Sequence, residues 1–248
     1  MELNETEQQR LETFIDEIAS LEYIIPRGFQ ELPNSVTGDL DIVTSSPLDA
    51  KKMAEALGFR KKKSNTDIKF EIITKGLKNP LKASKFILND PKRAAKFLTT
   101  NDTFNSFDSS FQEYKLYNNN LMIHIQNKVV HKSTLDNSRI PTDPRIEESL
   151  LKNRRSKIVN GREYYIPSLP DELIHLVGRG VFDYNGDFPS YYKKRCYTIW
   201  NKMSTKDRKK FSQLSEHLFF KANNIVINHL EDKTLENLRH NLLQFSNY

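Results

Sequence analysis

The chain has 248 residues, of which 37% are hydrophobic and 28% are charged, so it can bury a substantial core in one large domain or two modest ones. Lysine and arginine outnumber aspartate and glutamate by 38 to 32, and the net charge of +6 favours an anionic partner such as nucleotide phosphate or RNA. No apolar run approaches the ~20 residues of a membrane helix, and the acidic first residues are unlike an export signal. The single cysteine, Cys196, excludes an internal disulfide. We therefore expect a cytoplasmic protein with no membrane partner.

The first elements in the sequence are a helix and a short strand. Leu11, Phe14 and Ile18 recur at spacings of three and four, which predicts an amphipathic helix over residues 5–21. Residues 23–25 read Tyr-Ile-Ile and predict a short buried strand that Pro26 ends.

The most informative segment comes next, at residues 38–43, where Asp39 and Asp41 stand two positions apart in an apolar strand. Because side chains alternate along a strand, both carboxylates lie on one face, about 6 to 7 Å apart. They repel each other unless a divalent cation, a lysine or an arginine compensates them. The segment therefore predicts a site for Mg²⁺ bound to nucleotide phosphates, and the alternative is the solvent-facing side of an edge strand.

A capped helix and two strands follow this segment. Ser46 is placed to cap the helix, Pro47 takes its first position and Gly58 ends it. Residues 59–63 and 68–73 then read as strands on either side of a polar turn.

Two hairpins are predicted further along the chain. Asparagines at 118–120 mark a turn between strands at 112–117 and 121–126, because asparagine tolerates a positive φ. Asn160-Gly161 marks the second hairpin turn, and Asp143-Pro144 begins a helix between the two hairpins.

The remainder of the chain has a helical pattern. Segments at about 170–182, 189–203, 206–230 and 233–246 read as helices. We place a domain boundary near residue 166, so that residues 1–165 form an α/β domain and residues 166–248 a helical domain.

Polar and aromatic groups in this helical region have two interpretations each. Glu172, His175 and Arg179 share one helix face, which favours a local ion-pair stripe over a second wall of an active site. Five aromatic residues follow within a short segment, and we interpret them as core packing of the helical domain rather than as a surface that stacks on a nucleotide base. They are Phe182, Tyr184, Phe188, Tyr191 and Tyr192.

The order of elements resembles the catalytic core of the polymerase-beta-like nucleotidyltransferase superfamily: a helix, a short strand, a loop with Gly-Asp-x-Asp, and a capped helix that ends in Gly-Phe. The resemblance is carried by residues 23–29, 32–33, 38–43 and 57–59, and more weakly by 121–131 and 165–176. It covers most of the chain, but its specific motifs lie in the first 60 residues. The implied fold is α+β, a nucleotidyltransferase-like mixed sheet flanked by helices with a C-terminal helical domain.

The resemblance also implies roles for individual residues. Asp39 and Asp41 become the catalytic metal ligands, with Mg²⁺ as the expected ion and Mn²⁺ as its alternative. Thr37, Gly38 and Arg27 become the nucleotide-binding residues. The superfamily usually has Gly-Ser where this chain has Thr37-Gly38, so Thr37 supplies the hydroxyl and Gly38 admits the triphosphate close to the backbone. Arg27 holds phosphate, or else it is a structural partner of the two aspartates.

The third carboxylate of the superfamily is missing from the strand where we expect it, residues 121–126. The face of that strand away from Leu121 carries His124, which can ligate a metal or donate a hydrogen bond to phosphate. The alternative interpretation is that His124 is a structural histidine of the core or of a sheet edge. Glu71 is the other candidate for a third metal ligand, and its alternative is a cross-strand partner for a lysine at 61–63.

The leading hypothesis is a metal-dependent nucleotidyltransferase that moves a nucleotidyl group from a nucleoside triphosphate to an unknown acceptor, which is RNA, protein or a small molecule. The alternative is a catalytically degenerate nucleotidyltransferase-like module that binds nucleotide or RNA. A third, weaker hypothesis is a partner-binding protein whose two acids face solvent. The sequence has no P-loop, Rossmann, nucleophile-elbow or H-E-x-x-H motif, so hydride transfer and serine hydrolysis have no support.

Overall fold

The structure, a computed structural model, describes residues 2–36, 39–61, 111–132 and 139–245. In chain order its elements are α1 (Glu5–Ile18), β1 (Tyr23–Ile24), β2 (Leu40–Thr44), α2 (Pro47–Ala56), β3 (Glu113–Asn118), β4 (Leu121–Gln126), β5 (Val130–Lys132), β6 (Arg139–Pro141), α3 (Pro144–Lys152), β7 (Arg155–Val159), β8 (Arg162–Ile166), α4 (Leu169–Gly178), α5 (Ser190–Lys202), α6 (Thr205–Phe219), α7 (Asn223–Glu231) and α8 (Leu238–Phe245). A π-helical turn, Arg179–Asp183, extends α4.

A mixed four-stranded sheet has the order β1-β2-β4-β3. β2 runs antiparallel to β1 and parallel to β4, and β4 is antiparallel to β3. In the β2–β4 register, Leu40 lies opposite Ile123 and Asp41 lies opposite His124. The predicted strand at 59–63 is described only as far as residue 61, where Arg60 forms a bridge with Tyr117, and the predicted strand at 68–73 lies outside the described residues.

One face of this sheet carries the main core, which is covered by α1 and α2. Phe14 of α1, Ile42 of β2 and Ile123 of β4 are each fully buried in it. The start of α1 is fixed by a capping box, in which the Asn4 side chain accepts from the Glu7 backbone and the Glu7 carboxylate accepts from the Asn4 backbone. The apolar stripe of the first helix therefore packs where its spacing predicts.

The opposite face of the sheet is covered at one end by α3. Ile24 and Val43 form a smaller apolar cluster there with Val129 and Leu150. Because side chains alternate along β2, Asp41 lies on this second face together with Val43. This face carries the polar groups described below.

The helices α4 to α8 surround a core of their own. Leu173, Cys196, Phe211 and Val226 are fully buried in it. The prediction of one helix over 206–230 is wrong, because the chain breaks at Phe220, which has φ 51° and is 74% exposed. The left-handed residue ends α6 and redirects the chain through a short 3₁₀ turn into α7.

Both predicted hairpins are present. Asn119 has φ 52° in the first turn, and Asn160 and Gly161 have φ 51° and 76° in the second. The cap expected at Ser46 is wrong, because its hydroxyl makes no capping hydrogen bond, although Pro47 does begin α2. Instead the backbone N–H of Ser46 donates to the Thr44 hydroxyl at 3.2 Å.

The coarse fold prediction is confirmed: the chain is α+β, with a mixed four-stranded sheet flanked by helices and a helical C-terminal region. The domain boundary near residue 166 stays a prediction, since Ile166 packs in the main core while Ile146 packs in the helical one. Among the helices in the described ranges, none is both long enough and apolar enough to cross a bilayer.

The core of the sheet gives a matched pair of substitutions. Ile123→Ala removes a fully buried side chain from β4, whereas Ile158→Ala removes one from β7 that is 73% exposed. We expect the first to lower the free energy of unfolding by about 2–5 kcal/mol and the second by less than about 0.5 kcal/mol. Urea denaturation of both variants measures this difference, and equal losses would contradict the assigned packing.

Candidate functional site

Three candidate metal ligands converge on the second face of the sheet. Asp39 directly precedes β2, Asp41 lies within it, and His124 lies opposite Asp41 on the parallel strand β4. One ligand atom from each residue lies within 4.8 Å of the others. The strand pairing therefore builds the cluster that the two-residue spacing predicts, with a histidine in place of a third acid.

Arg27 compensates both carboxylates. Its Nη2 lies 2.9 Å from Oδ1 of Asp39 and 2.5 Å from Oδ2 of Asp41. Burial alone would lower the pKa of this guanidinium, but the negative charge of Asp41 and the smaller contributions of its other neighbours together outweigh burial and raise the pKa. The contact with the two aspartates that the sequence left open for Arg27 is therefore present.

His124 joins the aspartates to a further acid that the sequence interpretation missed. Its Nδ1 lies 3.1 Å from Oδ1 of Asp41 and 3.8 Å from Oδ2 of Asp39. Its Nε2 lies 2.9 Å from Oε2 of Glu113, on the edge strand β3. The position of Glu113 could have been found from the sequence. The two-residue turn at Asn119 fixes the register of β3 against β4, and this register places Glu113 opposite Gln126, two positions along β4 from His124.

These contacts set the charges of the buried groups. Burial opposes ionisation of Asp41, which is only 3% exposed, but its contact with His124 and the charge of Arg27 hold the pKa of its carboxyl well below the ordinary value. Burial likewise opposes a charge on His124, yet its hydrogen bonds with Asp41 and Glu113 raise the pKa of the imidazole. The Asp41 carboxylate is thus ionised and is held by Arg27 and His124.

The cluster opens into a cavity of about 280 Å³ between the sheet and the helical region. On the sheet side its lining is polar or charged and consists of Arg27, Asp39, Asp41, His124, Lys115 and Gln126. From the other side it is lined by His131, His175, Arg179 and Asp183. The two aspartates therefore face a concave site rather than open solvent, which contradicts the third hypothesis of a solvent-facing acid pair.

His175 is the least satisfied polar group in this cavity. It lies on α4, is 6% exposed, and neither ring nitrogen has a hydrogen-bond partner among the described residues. Burial, followed by the positive charge of Arg179, lowers the pKa of this imidazole well below its ordinary value. His175 is therefore a neutral ring with two free nitrogens facing a polar cavity.

The ion-pair stripe predicted for α4 is wrong. Glu172 binds Arg195 of α5 through two contacts of 2.6 and 2.7 Å. Arg179 instead lies 3.3 Å from Asp183, at the far end of the π-helical turn. Two members of the stripe, His175 and Arg179, form a second wall of the cavity, and the sequence interpretation had ranked this alternative lower.

The π-helical turn is held close to the segment before α5. A Cβ added to Gly180 would lie 2.0 Å from the ring of Phe188, so no other residue fits there without a shift. Phe188 and Tyr192 are buried in the helical core, as the core-packing interpretation of the aromatic run predicts, while Tyr191 is 51% exposed. Single π-turns are often found at functional sites.

Three predicted site residues have no described structure. Thr37 and Gly38, predicted to bind the nucleotide, and Glu71, predicted as a third ligand, lie outside the described residues. Their roles stay predictions.

Comparison with known proteins identifies no relative. No protein-family model matches the chain, and searches of curated proteins and of solved structures give no significant match. The interpretation of the site therefore depends on its own geometry.

The pairing of Arg27 with the aspartates predicts a stability effect. Arg27→Met leaves the buried Asp41 carboxylate with His124 as its remaining partner, and removing one member of a buried ion pair costs about 3–5 kcal/mol. Arg145→Met, which breaks a surface pair with Asp143, is the matched control, and we expect little change from it. Chemical denaturation at pH 7 measures both, and a wild-type stability for Arg27→Met would contradict a stabilising pair.

The buried His175 predicts a pH effect on stability. Because its pKa is lower in the folded than in the unfolded chain, protons bind preferentially to the unfolded chain below the ordinary histidine pKa of about 6.5, and stability falls as the pH falls. Between pH 7 and pH 5 the wild type should lose up to about 2 kcal/mol more than His175→Leu. Urea denaturation at the two pH values measures the losses, and equal losses in both proteins would contradict a neutral buried ring.

Proposed function

We propose that the chain is a metal-dependent nucleotidyltransferase that acts on a nucleoside triphosphate, with a nucleotidyltransferase-like fold. The observation that carries the proposal is the convergence of Asp39, Asp41 and His124 on one cavity whose other walls carry arginine and histidine. Two carboxylates and an imidazole are a suitable donor set for a divalent cation. A bound ion, Mg²⁺ or Mn²⁺, would neutralise the charge on the triphosphate oxygens during transfer.

The proposed reaction is the transfer of a nucleotidyl group. An oxygen or nitrogen of the acceptor forms a bond to the α-phosphorus while the bond from that phosphorus to the bridging oxygen breaks, so pyrophosphate leaves and the acceptor's proton passes to solvent. Asp39 and Asp41 hold the ion. Arg27 and Arg179 face the same cavity, and their guanidinium groups fit phosphate oxygens by paired hydrogen bonds. Binding of the triphosphate would draw Arg27 from the carboxylates to the phosphates.

A second candidate function is supported by one specific observation. Nη2 of Arg27 already contacts both aspartates, so the protein itself supplies the positive charge that a metal would bring. A catalytically degenerate module of this kind would bind nucleotide or RNA through the same cavity without transfer.

The test compares one double variant with a matched surface control. Asp39→Asn with Asp41→Asn removes both proposed ligands, whereas Asp49→Asn changes a surface aspartate of α2 that pairs with Lys52. With each of the four nucleoside triphosphates and Mg²⁺ or Mn²⁺, we expect one triphosphate to raise the melting temperature of the wild type and of Asp49→Asn but not of the double variant. Pyrophosphate release should fall by more than about 100-fold in the double variant, because losing a ligand costs more than losing a partner of a ligand.

The outcomes separate the two functions. Absence of any response to a triphosphate in the wild type would contradict the transferase. If no pool of RNA, protein or small-molecule acceptors supports pyrophosphate release, yet RNA binds with a steep salt dependence, the degenerate module is correct.

A further inference from the structure

We propose that the cluster of Asp39, Asp41 and His124 selects a divalent transition-metal ion over Mg²⁺, and that Glu113 is the positioning residue that makes His124 a ligand. The inference rests on the proposed function for the place of the metal, but not for the reaction. It concerns which ion the chain takes and which residue outside the ligand set controls that choice.

The first step is the chemistry of the donors. Mg²⁺ prefers oxygen ligands and gives up its water reluctantly. Imidazole nitrogen suits zinc, iron, nickel and copper, and mixed nitrogen and carboxylate sets bind first-row transition ions more tightly than alkaline-earth ions. A site with His124 in place of a third acid therefore loses an oxygen donor that Mg²⁺ favours and gains a nitrogen that transition ions favour.

The second step is distance. Ligand atoms about 2.0–2.2 Å from one ion lie about 3–3.5 Å from each other. Nδ1 of His124 lies 3.1 Å from the nearer oxygen of Asp41 and 3.8 Å from that of Asp39. These two distances are close to that range, and all three ligand atoms lie within 4.8 Å of one another. Side-chain movements therefore suffice to bring them onto one ion, once Arg27 releases the carboxylates.

The third step is the orientation of the imidazole. Nε2 of His124 lies 2.9 Å from Oε2 of Glu113, which accepts a hydrogen bond from that nitrogen. The ring is thereby held with Nδ1 directed at the two aspartates. A carboxylate behind the remote nitrogen is the usual partner of a metal-bound histidine, because it fixes the ring and raises its basicity as a ligand.

An independent observation in the same cavity supports a bound ion. His175 faces the cavity with more than nine-tenths of its surface buried and neither ring nitrogen partnered among the described residues. An ion at the cluster brings coordinated water into the cavity, and that water would provide a hydrogen-bond partner for the His175 ring. The buried ring is thus accounted for by a hydrated ion on the facing wall.

The experiment uses the full chain, freed of metal by a chelator, and the metals alone as probes. Calorimetric titration with Mn²⁺, Zn²⁺ and Mg²⁺ should give at least about 10-fold tighter binding of Mn²⁺ and Zn²⁺ than of Mg²⁺. Glu113→Gln should weaken Mn²⁺ binding by about 10- to 100-fold, while Glu163→Gln, on an exposed position of β8, should leave it unchanged. His124→Asp should reduce the preference for Mn²⁺ over Mg²⁺.

Pulsed electron paramagnetic resonance of the Mn²⁺ complex gives a readout that does not depend on activity. The wild type should show modulation from a directly bound imidazole nitrogen, and His124→Asp should not. Circular dichroism checks that each variant is folded. If His124→Asp does not fold, Glu113→Gln still tests the inference, because the Glu113 side chain is partly exposed and its replacement is expected to leave the fold intact.

The inference is overturned if Mg²⁺ binds as tightly as Mn²⁺, if the nitrogen modulation is absent from the wild type, or if Glu113→Gln binds Mn²⁺ like Glu163→Gln. Its failure is distinct from failure of the proposed function. A triphosphate response with no preference among ions overturns the selectivity alone, whereas selective Mn²⁺ binding with no triphosphate response overturns the transferase alone.

Discussion

The ionised carboxylate of Asp41 is enclosed by protein, and the fold around it must balance that charge. Arg27, from the segment after β1, and His124, from β4, supply the balance, and Glu113 of β3 contacts the far nitrogen of the His124 ring. These contacts require one register between β2 and β4. If the pairing of β2 shifted by one residue, the side chain of Asp41 would lie in the main core, and those of Leu40 and Ile42 would lie outside it. The charge and the apolar pattern therefore specify the same pairing.

The site lies where two cores meet. One wall comes from the sheet that covers the main core, and the other from α4, whose opposite side packs in the helical core. Each wall is held rigidly by its own apolar packing, so the polar groups between them are positioned by structure on both sides. Burial strengthens the electrostatic interactions among the charged groups of such a cavity.

The sequence predicted those parts of the fold that depend on short-range chemistry. Asn119 and Asn160 mark hairpin turns because few other residues tolerate a positive φ, and the spacing of Asp39 and Asp41 requires a common face. It did not predict what distant segments contribute. His175 appeared to be part of an ion-pair stripe, since nothing in its neighbours along the chain reveals that α4 lines the same cavity as the sheet face. The break at Phe220 was missed for a similar reason, because the tertiary packing of α6 and α7, rather than a glycine or proline, sets that residue's conformation.

The contact of Arg27 with both aspartates has a consequence for how the protein is made. In many small metal-binding domains the ligands repel one another until the ion arrives, so folding waits for the metal. Here an arginine from within the chain contacts both members of the acidic pair, and the two cores of the described residues are built from apolar side chains. Under the proposed function, folding therefore does not wait for the metal, and ion binding regulates use of the site rather than survival of the protein.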